Sequence, residues 1–399
     1  MAKGLYVSNL DSREAVGYDS KIVGQVRGFA ASGLEFELIS FSPVGNVILR
    51  KFLPLQASAN GEPCVVEEIL QKNVGSNILV KRKSLLSKAF ERLRSGNFDY
   101  LYLRYPRAEL LLIFFLFRVK SILPHLKIYF EYPTFPYDDE ISRKNLKQFL
   151  SDAFDKLTRH HLKYFVHRAA VVNYSGDPFG ITGITIDNGI STSSYCSKSY
   201  GLENIAASHT SKNTTHLVGV ANVRPWHGYD RIITGLGRYY SQSSVVHEVT
   251  FHIVGADEAS TDHLRRLAID NDVLEHIVFY LPKRGAALDR LFEKCDIAIS
   301  TLAPHRIGLS QLSPLKTREY CARGIPFVIG YEDPDFPDNF EYALKFESSE
   351  KPININAIVK HHQRFRELSD TSETMRKYSF KNLDWKVKML PVVKDMKST

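Results

Sequence analysis

The sequence has little cysteine, and its cysteines form no pattern. Only four occur among 399 residues, and their spacing matches neither a metal-binding motif nor a paired framework. We therefore expect reduced thiols in a cytoplasmic protein. The four are Cys64, Cys196, Cys295 and Cys321.

A long apolar segment is also missing. The longest apolar run covers residues 110–117, far short of the roughly 20 residues that a membrane-spanning helix needs. We expect this run to belong to the core. The first seven residues lack the apolar centre of a signal peptide. These absences predict a cytoplasmic protein, either soluble or peripheral on the inner face of the plasma membrane.

Positive charge dominates only the first half of the chain. The net charge is +8, and residues 1–200 hold 26 basic against 19 acidic residues, whereas the remainder holds 26 against 25. This bias favours an anionic ligand or surface. No zinc, helix-turn-helix or aromatic RNA-binding signature accompanies it, so we expect no nucleic-acid partner.

The basic residues are densest at 81–94, around an amphipathic stretch at 85–93. A basic amphipathic helix suits an anionic membrane surface. An ordinary solvated helix is the alternative.

Alternating strand and helix patterns predict an α/β protein of two domains. A strand at 4–8, a helix at 20–30 and a strand at 36–40 open the first, which we place at 1–190. A linker rich in Ser, Thr, Asn and Lys follows at 191–213. A second β-α-β series then fills 214–371, and a helical tail at 372–399 is expected to fold back on the first domain.

The second series ends in a short helix that stops at Gly324, where Pro326 prevents its continuation. Lys316 and Glu319 are three residues apart and therefore share a face near the start of this helix. A helix N-terminus with a lysine and a glutamate has the groups that a phosphate and a ribose require.

The order of motifs in this second domain resembles the C-terminal domain of glycosyltransferase family 4, the retaining GT-B enzymes. A glycine-containing strand end at 218–222 precedes the group Trp226, His227 and Gly228, then a strand that ends at Gly255, then the helix that carries Lys316. The resemblance implies two Rossmann-like domains facing a central cleft. It also implies a metal-independent retaining hexosyltransferase without a cofactor. Such an enzyme moves sugar from a nucleotide-diphosphate donor to a saccharide or lipid-linked acceptor, in surface-polysaccharide biosynthesis.

The resemblance assigns the ribose hydroxyls to Glu319, because a carboxylate offers two acceptor oxygens to two donors. Lys316 would stabilise the leaving diphosphate. Arg224 and His227 lie in the loop after the first strand of this domain and would contact phosphate, with a pH-sensitive contact expected for His227. The alternatives are solvated or ion-paired side chains for Arg224, Lys316 and Glu319, and packing against Trp226 for His227.

One position departs from the family. The first glutamate of its Glu-seven-residues-Glu signature is Gln311 here, which can contact sugar hydroxyls but carries no charge. The preceding loop resembles the one that lies against the donor sugar, with Arg306, Gly308 and Ser310 as contacts. Ser310 and Ser313 could instead cap the helix. The resemblance adds Leu315, Gly255 and Gly17, the last in the first β-to-α loop, to the donor contacts.

Glu131 follows the strand at 127–130 and opens a loop rich in proline and aromatic residues. We expect it to orient or deprotonate the acceptor, with a structural carboxylate as the alternative. The predicted catalytic set is therefore Glu131, Lys316 and Arg224. Two other functions stay open, a nucleotide-sugar-binding protein with a degenerate site and a GT-B sugar epimerase.

Overall fold

The computed structural model describes residues 2–9, 16–42, 44–53, 65–75, 77–104, 110–137, 146–195, 213–242, 245–255 and 257–398. The chain divides into two units, Met1–Gly189 with Asp384–Thr399, and Ile190–Leu383. The segment that joins the first unit therefore starts at Asp384, later than the tail at 372 that the sequence suggested. Most of the expected linker lies outside the described residues.

The first unit is built on a mixed sheet whose order is β4-β3-β2-β1-β5-β6-β7-β8. β3 is antiparallel to both of its neighbours, β2 and β4, and the other pairs are parallel. The strands are β1 (Lys3–Ser8), β2 (Glu35–Phe41), β3 (Val47–Phe52), β4 (Val65–Gln71), β5 (Tyr100–Arg104), β6 (Lys127–Tyr132), β7 (Arg168–Val172) and β8 (Gly183–Ile186).

Helices cover both faces of this sheet, because parallel strands need crossover connections. One face packs its aliphatic residues against α2 and α3, and α1 with the C-terminal helices covers the other. The helices are α1 (Val16–Ala31), α2 (Ile78–Ser95), α3 (Leu110–Ile122) and α4 (Leu146–Thr158), and from the end of the chain α11 (Trp385–Lys388) and α12 (Leu390–Ser398).

The second unit has a fully parallel sheet of order β11-β10-β9-β12-β13-β14. This is the strand order of a dinucleotide-binding Rossmann domain, with its switch point between β9 and β12. The strands are β9 (Thr214–Val220), β10 (Glu248–Val254), β11 (Ile277–Tyr280), β12 (Ile297–Ile299), β13 (Phe327–Ile329) and β14 (Ala343–Lys345). The helices are α5 (Tyr229–Tyr240), α6 (Glu258–Asp270), α7 (Ala286–Lys294), α8 (Leu315–Arg323), α9 (Ile355–Arg366) and α10 (Thr371–Tyr378).

The predicted α/β class is confirmed, and the strands expected at 4–8, 36–40 and 127–130 form within one or two residues of those bounds. α1 begins at Val16, so Gly17 lies in its first turn rather than in the preceding loop. Cys295 and Cys321 are buried and are not joined in a disulfide, and the other two cysteines lie outside the described residues.

The apolar run at 110–117 forms the first part of α3. Only some of its side chains reach the core, and Leu110, Phe114 and Phe117 are exposed. No helix among the described residues is long and apolar enough to cross a membrane.

The C-terminal helices dock on the first unit through close contacts that require small residues in α1. A Cβ at Gly24 would lie 2.1 Å from Nε1 of Trp385, and one at Gly28 would lie 2.7 Å from the carbonyl oxygen of Trp385. Asp395 accepts hydrogen bonds from Tyr129 at 2.7 Å and from Arg168 at 3.0 Å. The end of the chain is thereby tied to β6 and β7.

This docking predicts an unusual response to the substitution Gly24→Ala. In an exposed helix interior the change stabilises by about 1 kcal/mol. Here the new methyl group meets the Trp385 indole, so we expect a loss of about 1–3 kcal/mol, measured by urea denaturation. In a Trp385→Ala background the substitution should become neutral or stabilising. A stabilising effect in the wild-type background would contradict the docking.

Candidate functional site

The loops that follow β9 and β12 are joined at the switch point of the second sheet. The backbone N–H of Leu302 donates to the carbonyl of His227 at 3.0 Å, and that of Ala303 donates to the carbonyl of Trp226 at 3.1 Å. The guanidinium of Arg231, in α5, donates to the carbonyl of Leu302. Ligands of open α/β sheets bind at this edge, so the two loops form the base of a candidate site.

Gly228 makes this junction possible. It has a φ of 67° and precedes the first residue of α5. A Cβ there would lie 2.9 Å from the Cβ of Leu302. Only glycine combines that backbone conformation with so close an approach.

His227 is buried in the turn before Gly228, and its Nδ1 accepts the backbone N–H of Arg224 at 2.9 Å. Burial and, to a smaller extent, the neighbouring Lys316 lower the pKa of His227 to about 3. The imidazole is therefore neutral at physiological pH, with its proton on Nε2. His227 therefore offers a neutral N–H donor, whereas the sequence predicted a pH-sensitive contact.

α8 is held in a fixed orientation by Arg318, which is fully buried. Its guanidinium donates to Asp333 at 2.8 Å and also pairs with Asp335. Thr317 and Tyr320 are also buried. Lys316 and Glu319 are partly exposed, and their three-residue spacing puts them on a shared face.

The Lys316 ammonium has no hydrogen-bond partner among the residues that the structure describes. Its Nζ atom is buried although the residue is partly exposed. Burial lowers the pKa of Lys316 to about 7. An ammonium in this condition is costly for the fold, and a bound anion would supply the missing partner.

Glu319 is not free, because Arg323 Nε donates to its Oε1 at 2.8 Å. Arg323 also pairs with Asp289 at 2.8 Å, and its guanidinium lies against the rings of Phe292 and Tyr195. Burial raises the pKa of Glu319, and Arg323 offsets only part of that effect. One carboxylate oxygen of Glu319 therefore stays available as an acceptor.

The N-terminus of α8 has no side-chain cap. Pro314 occupies the cap position, so the N-cap residue is neither Ser310 nor Ser313. The carbonyl of Ser310 instead accepts the backbone N–H of Glu332 at 2.9 Å. Gln311 forms an isolated bridge with Glu332 and is exposed. The backbone N–H of Leu315, the first helical residue, belongs to this uncapped turn.

Arg306 and Gly308 lie in the loop between β12 and α8. The guanidinium of Arg306 donates to Asp230 at 2.7 and 2.9 Å and pairs with Glu350. Arg306 therefore already has partners that fix the loop. Gly308 has a φ of 71°, and no described atom lies within 4 Å of the position that a Cβ would occupy there. Its backbone is thus open to an approaching group.

Two further predicted contacts lie near the first strands of this sheet. Arg224 pairs with Asp257 at 3.2 Å, and both side chains are about half exposed. Such a surface pair is weak, so an anion can compete for the arginine. Gly255 follows β10 with a φ of 91°, and a Cβ there would lie 2.6 Å from the carbonyl oxygen of Ala221.

Glu131, in the first unit, has the contacts of a structural carboxylate. It is fully buried, pairs with Arg104, and accepts hydrogen bonds from Tyr102 at 2.9 Å and Gln25 at 3.1 Å. Burial raises its pKa, but Arg104 and then Lys21 outweigh that effect and leave the pKa lowered. These bonds join α1, β5 and β6, which matches the structural alternative rather than a reacting base.

The structure adds Arg318 and Arg323 to the residues that shape the site. Arg323 lies four residues after Glu319, a spacing at which helical side chains meet, so this pair was readable from the sequence. The role of Arg318 could not be read from the sequence, because its partners lie in a separate loop. Among the described residues, no group of three or more His, Cys, Asp or Glu side chains could hold a metal ion.

No model of a known protein family matches the sequence, and no curated protein matches it significantly. Solved structures do share its fold. A glycosyltransferase from Rickettsia africae aligns with 100% of this chain and 98% of its own, at a TM-score of 0.60 and 11% identity. HepE from Anabaena with UDP and glucose aligns over 100% of both chains, at a TM-score of 0.61 and 13% identity.

A trehalose-6-phosphate synthase, OtsA, covers 99% of its own chain and 100% of this one, at a TM-score of 0.62 and 11% identity. Identities this low establish the fold alone. The protein therefore has the GT-B fold, with two α/β domains, as the sequence predicted.

The unpaired ammonium predicts that Lys316→Met stabilises the protein. Methionine keeps most of the length of the side chain and removes a buried charge, so we expect a gain of about 1–3 kcal/mol, seen as a higher Tm without ligand. Lys351→Met is the matched control, since that lysine is exposed and its replacement should shift stability by less than about 0.5 kcal/mol. A destabilised Lys316→Met protein would show that the ammonium has a partner.

Proposed function

We propose that this protein is a glycosyltransferase that uses a nucleotide-diphosphate sugar as donor. The observation that carries the proposal is the buried ammonium of Lys316, which has no partner among the described residues and lies one helical turn before Glu319 in a GT-B domain. The HepE structures contain UDP, or UDP-glucose, or UDP and glucose, which supports a uridine nucleotide as the first ligand to test.

In this proposal the donor lies against the start of α8. Lys316 binds the diphosphate, the uncapped N–H groups from Leu315 onward add a favourable helix dipole, and His227 donates through Nε2–H. The free oxygen of Glu319 accepts from the ribose hydroxyls while Arg323 holds the other oxygen. Gly308 admits the donor close to the backbone.

The charge on the diphosphate grows as the sugar bond breaks, so groups aimed at it stabilise the transition state more than the ground state. Lys316 meets this need without a metal ion, and Arg224 can leave its surface pair to join it. We propose a retaining transfer of a hexose, as in glycosyltransferase family 4, in which the acceptor attacks on the face from which the diphosphate departs.

The acceptor in this proposal is a saccharide or a lipid-linked saccharide, and the setting is surface-polysaccharide biosynthesis. The family resemblance supports both. Glu131 is not assigned the role of acceptor base, because its buried contacts already use its oxygens. Residues 81–94 carry the cations that would face an anionic membrane in that setting.

A second function has one observation in its favour. The position of the family's first glutamate holds Gln311, an exposed residue that bridges to Glu332. A neutral side chain there fits a protein that binds a nucleotide sugar without transferring it. Release of glucose from UDP-glucose, followed by anomer-resolved NMR, separates the two functions and reports whether the configuration is retained.

The binding step can be tested by calorimetry with UDP and UDP-glucose. Each hydrogen bond to a charged group contributes about 1.5–3 kcal/mol, so Lys316→Met and Glu319→Ala should each weaken binding about tenfold to a hundredfold. Glu347→Ala and Lys351→Met each remove one partner of an exposed ion pair in the same unit and serve as controls. Unchanged affinity in both site variants, or no binding of any nucleotide diphosphate by the wild type, would refute the proposed site.

The same site predicts how UDP-glucose binding depends on pH. Lys316 has a lowered pKa of about 7, so above this pH the free protein must take up a proton to bind the diphosphate. Affinity should fall by up to about tenfold per pH unit above 7. Lys316→Arg keeps its charge and should abolish that fall. A fall that persists in Lys316→Arg would assign it to another group.

On the acid side, protonation of Glu319 removes an acceptor from the ribose. Its pKa is raised, so the loss of affinity should begin at a higher pH than for an exposed glutamate. Arg323→Gln removes the cation that favours the carboxylate, so the loss of affinity should then begin at a pH still closer to neutral.

A further inference from the structure

α3 carries more apolar surface than its place in the fold requires. A helix on an open sheet needs one buried stripe, which α3 supplies with Leu112, Phe115, Leu116 and Val119. The opposite stripe is apolar as well, with Leu110 exposed to 66%, Phe114 to 59% and Phe117 to 60%. These three positions follow the spacing of a single helix face.

The start of the neighbouring α2 is also apolar and exposed. Ile78, Leu79 and Val80 are three consecutive apolar residues, and all are exposed. α2 and α3 pack against each other. The guanidinium of Arg118, in α3, lies 4.2 Å from the ring centroid of Phe90 in α2 and 5.7 Å from that of Phe114, so a cation lies at the edge of the apolar stripe.

The two helices carry a strong excess of positive charge. α2 contains six basic residues and one acidic residue, and α3 contains two basic residues and no acidic one. Lys88 pairs with Glu91, and Arg92 pairs with Glu37. Three further cations, Lys83, Arg94 and Arg118, are exposed. Apolar side chains beside exposed cations, with almost no carboxylates, complement a lipid bilayer with anionic headgroups.

Both helices begin at the same edge of the sheet. α2 leads into β5 and α3 leads into β6, and these strands are parallel. The first turns of both helices therefore lie at the carboxyl ends of the strands. Ile78–Val80 and Leu110 are in these first turns, at the edge of the sheet where α/β domains bind their ligands.

We infer that α2 and α3 form a membrane-docking surface, in which Leu110, Phe114 and Phe117 enter the interface of an anionic bilayer and Lys83, Arg94 and Arg118 contact its headgroups. This inference rests on the proposed transfer and extends it to an acceptor anchored in that bilayer. It concerns residues other than those of the donor site, so its test is independent of nucleotide binding.

The test is co-sedimentation of the full chain with phosphatidylcholine vesicles that contain or lack phosphatidylglycerol. Wild-type protein should sediment with the anionic vesicles and be released by high salt. Phe114→Ser with Phe117→Ser should weaken binding at least about tenfold. Lys83→Gln, Arg94→Gln and Arg118→Gln should each weaken it about fivefold.

Two controls match these changes in chemistry. Leu281→Ser replaces a highly exposed apolar residue of the second unit, and Lys377→Gln replaces an exposed lysine there. Both should bind vesicles as the wild type does. Equal UDP affinity and equal Tm in all variants would show that the fold and the donor site are intact.

A second measurement reports on insertion directly. The emission of a tryptophan introduced by Phe114→Trp should shift to shorter wavelength with anionic vesicles, whereas one introduced by Leu281→Trp should not. The inference would be overturned if wild-type sedimentation did not depend on phosphatidylglycerol, or if the double serine variant still bound the vesicles. It would also be overturned by light scattering that shows self-association, lost in the double serine variant, in place of vesicle binding.

Discussion

The burial of the Arg318 guanidinium constrains the candidate site more than any other interaction described in the second unit. A fully buried cation must be paired, and the loss of one partner of such a pair typically costs about 3–5 kcal/mol. Asp333 and Asp335 provide the partners. Because the side chain projects from the middle of α8, this pairing fixes the rotation of a helix of only nine residues. The same pairing therefore fixes the directions in which Lys316 and Glu319 project from the helix.

Most of the charged residues that the sequence predicted as site residues have partners in the structure. Arg306 has Asp230 and Glu350, Arg323 has Glu319 and Asp289, and Glu131 has Arg104. Lys316 alone among these described groups is buried without a partner. The protein would gain stability if this ammonium were paired, and proteins commonly retain such a cost where it serves binding. Burial also keeps His227 neutral, and the neighbouring ammonium of Lys316 adds to that effect.

Sequence patterns predicted the strands well and side-chain pairing poorly, for a physical reason. Strands and helices are local, so apolar periodicity and the Gly324–Pro326 stop were enough to place α8 and β13. The pairing of Arg306 depends on residues 76 and 44 positions away, and no local pattern shows it. The same limit applies to Glu131, whose partners come from other strands and helices. An apolar run such as 110–117 indicates burial by composition, but only the sheet beneath it decides which half is covered.

The exposed half of α3 has an energetic meaning of its own. Apolar residues scattered singly on a surface need no explanation, but here they repeat at helical spacing and lie beside cations on a helix without acidic residues. Exposure of such a face to water is unfavourable. A soluble partner of opposite charge would pair with the cations but leave the phenylalanine rings in water. An anionic bilayer interface uses both components at once, because it accepts rings below the headgroups and ammonium or guanidinium groups at them. Since the first turns of α2 and α3 lie at the carboxyl ends of β5 and β6, the same contact would bring an anchored acceptor to the ligand-binding edge of the first sheet.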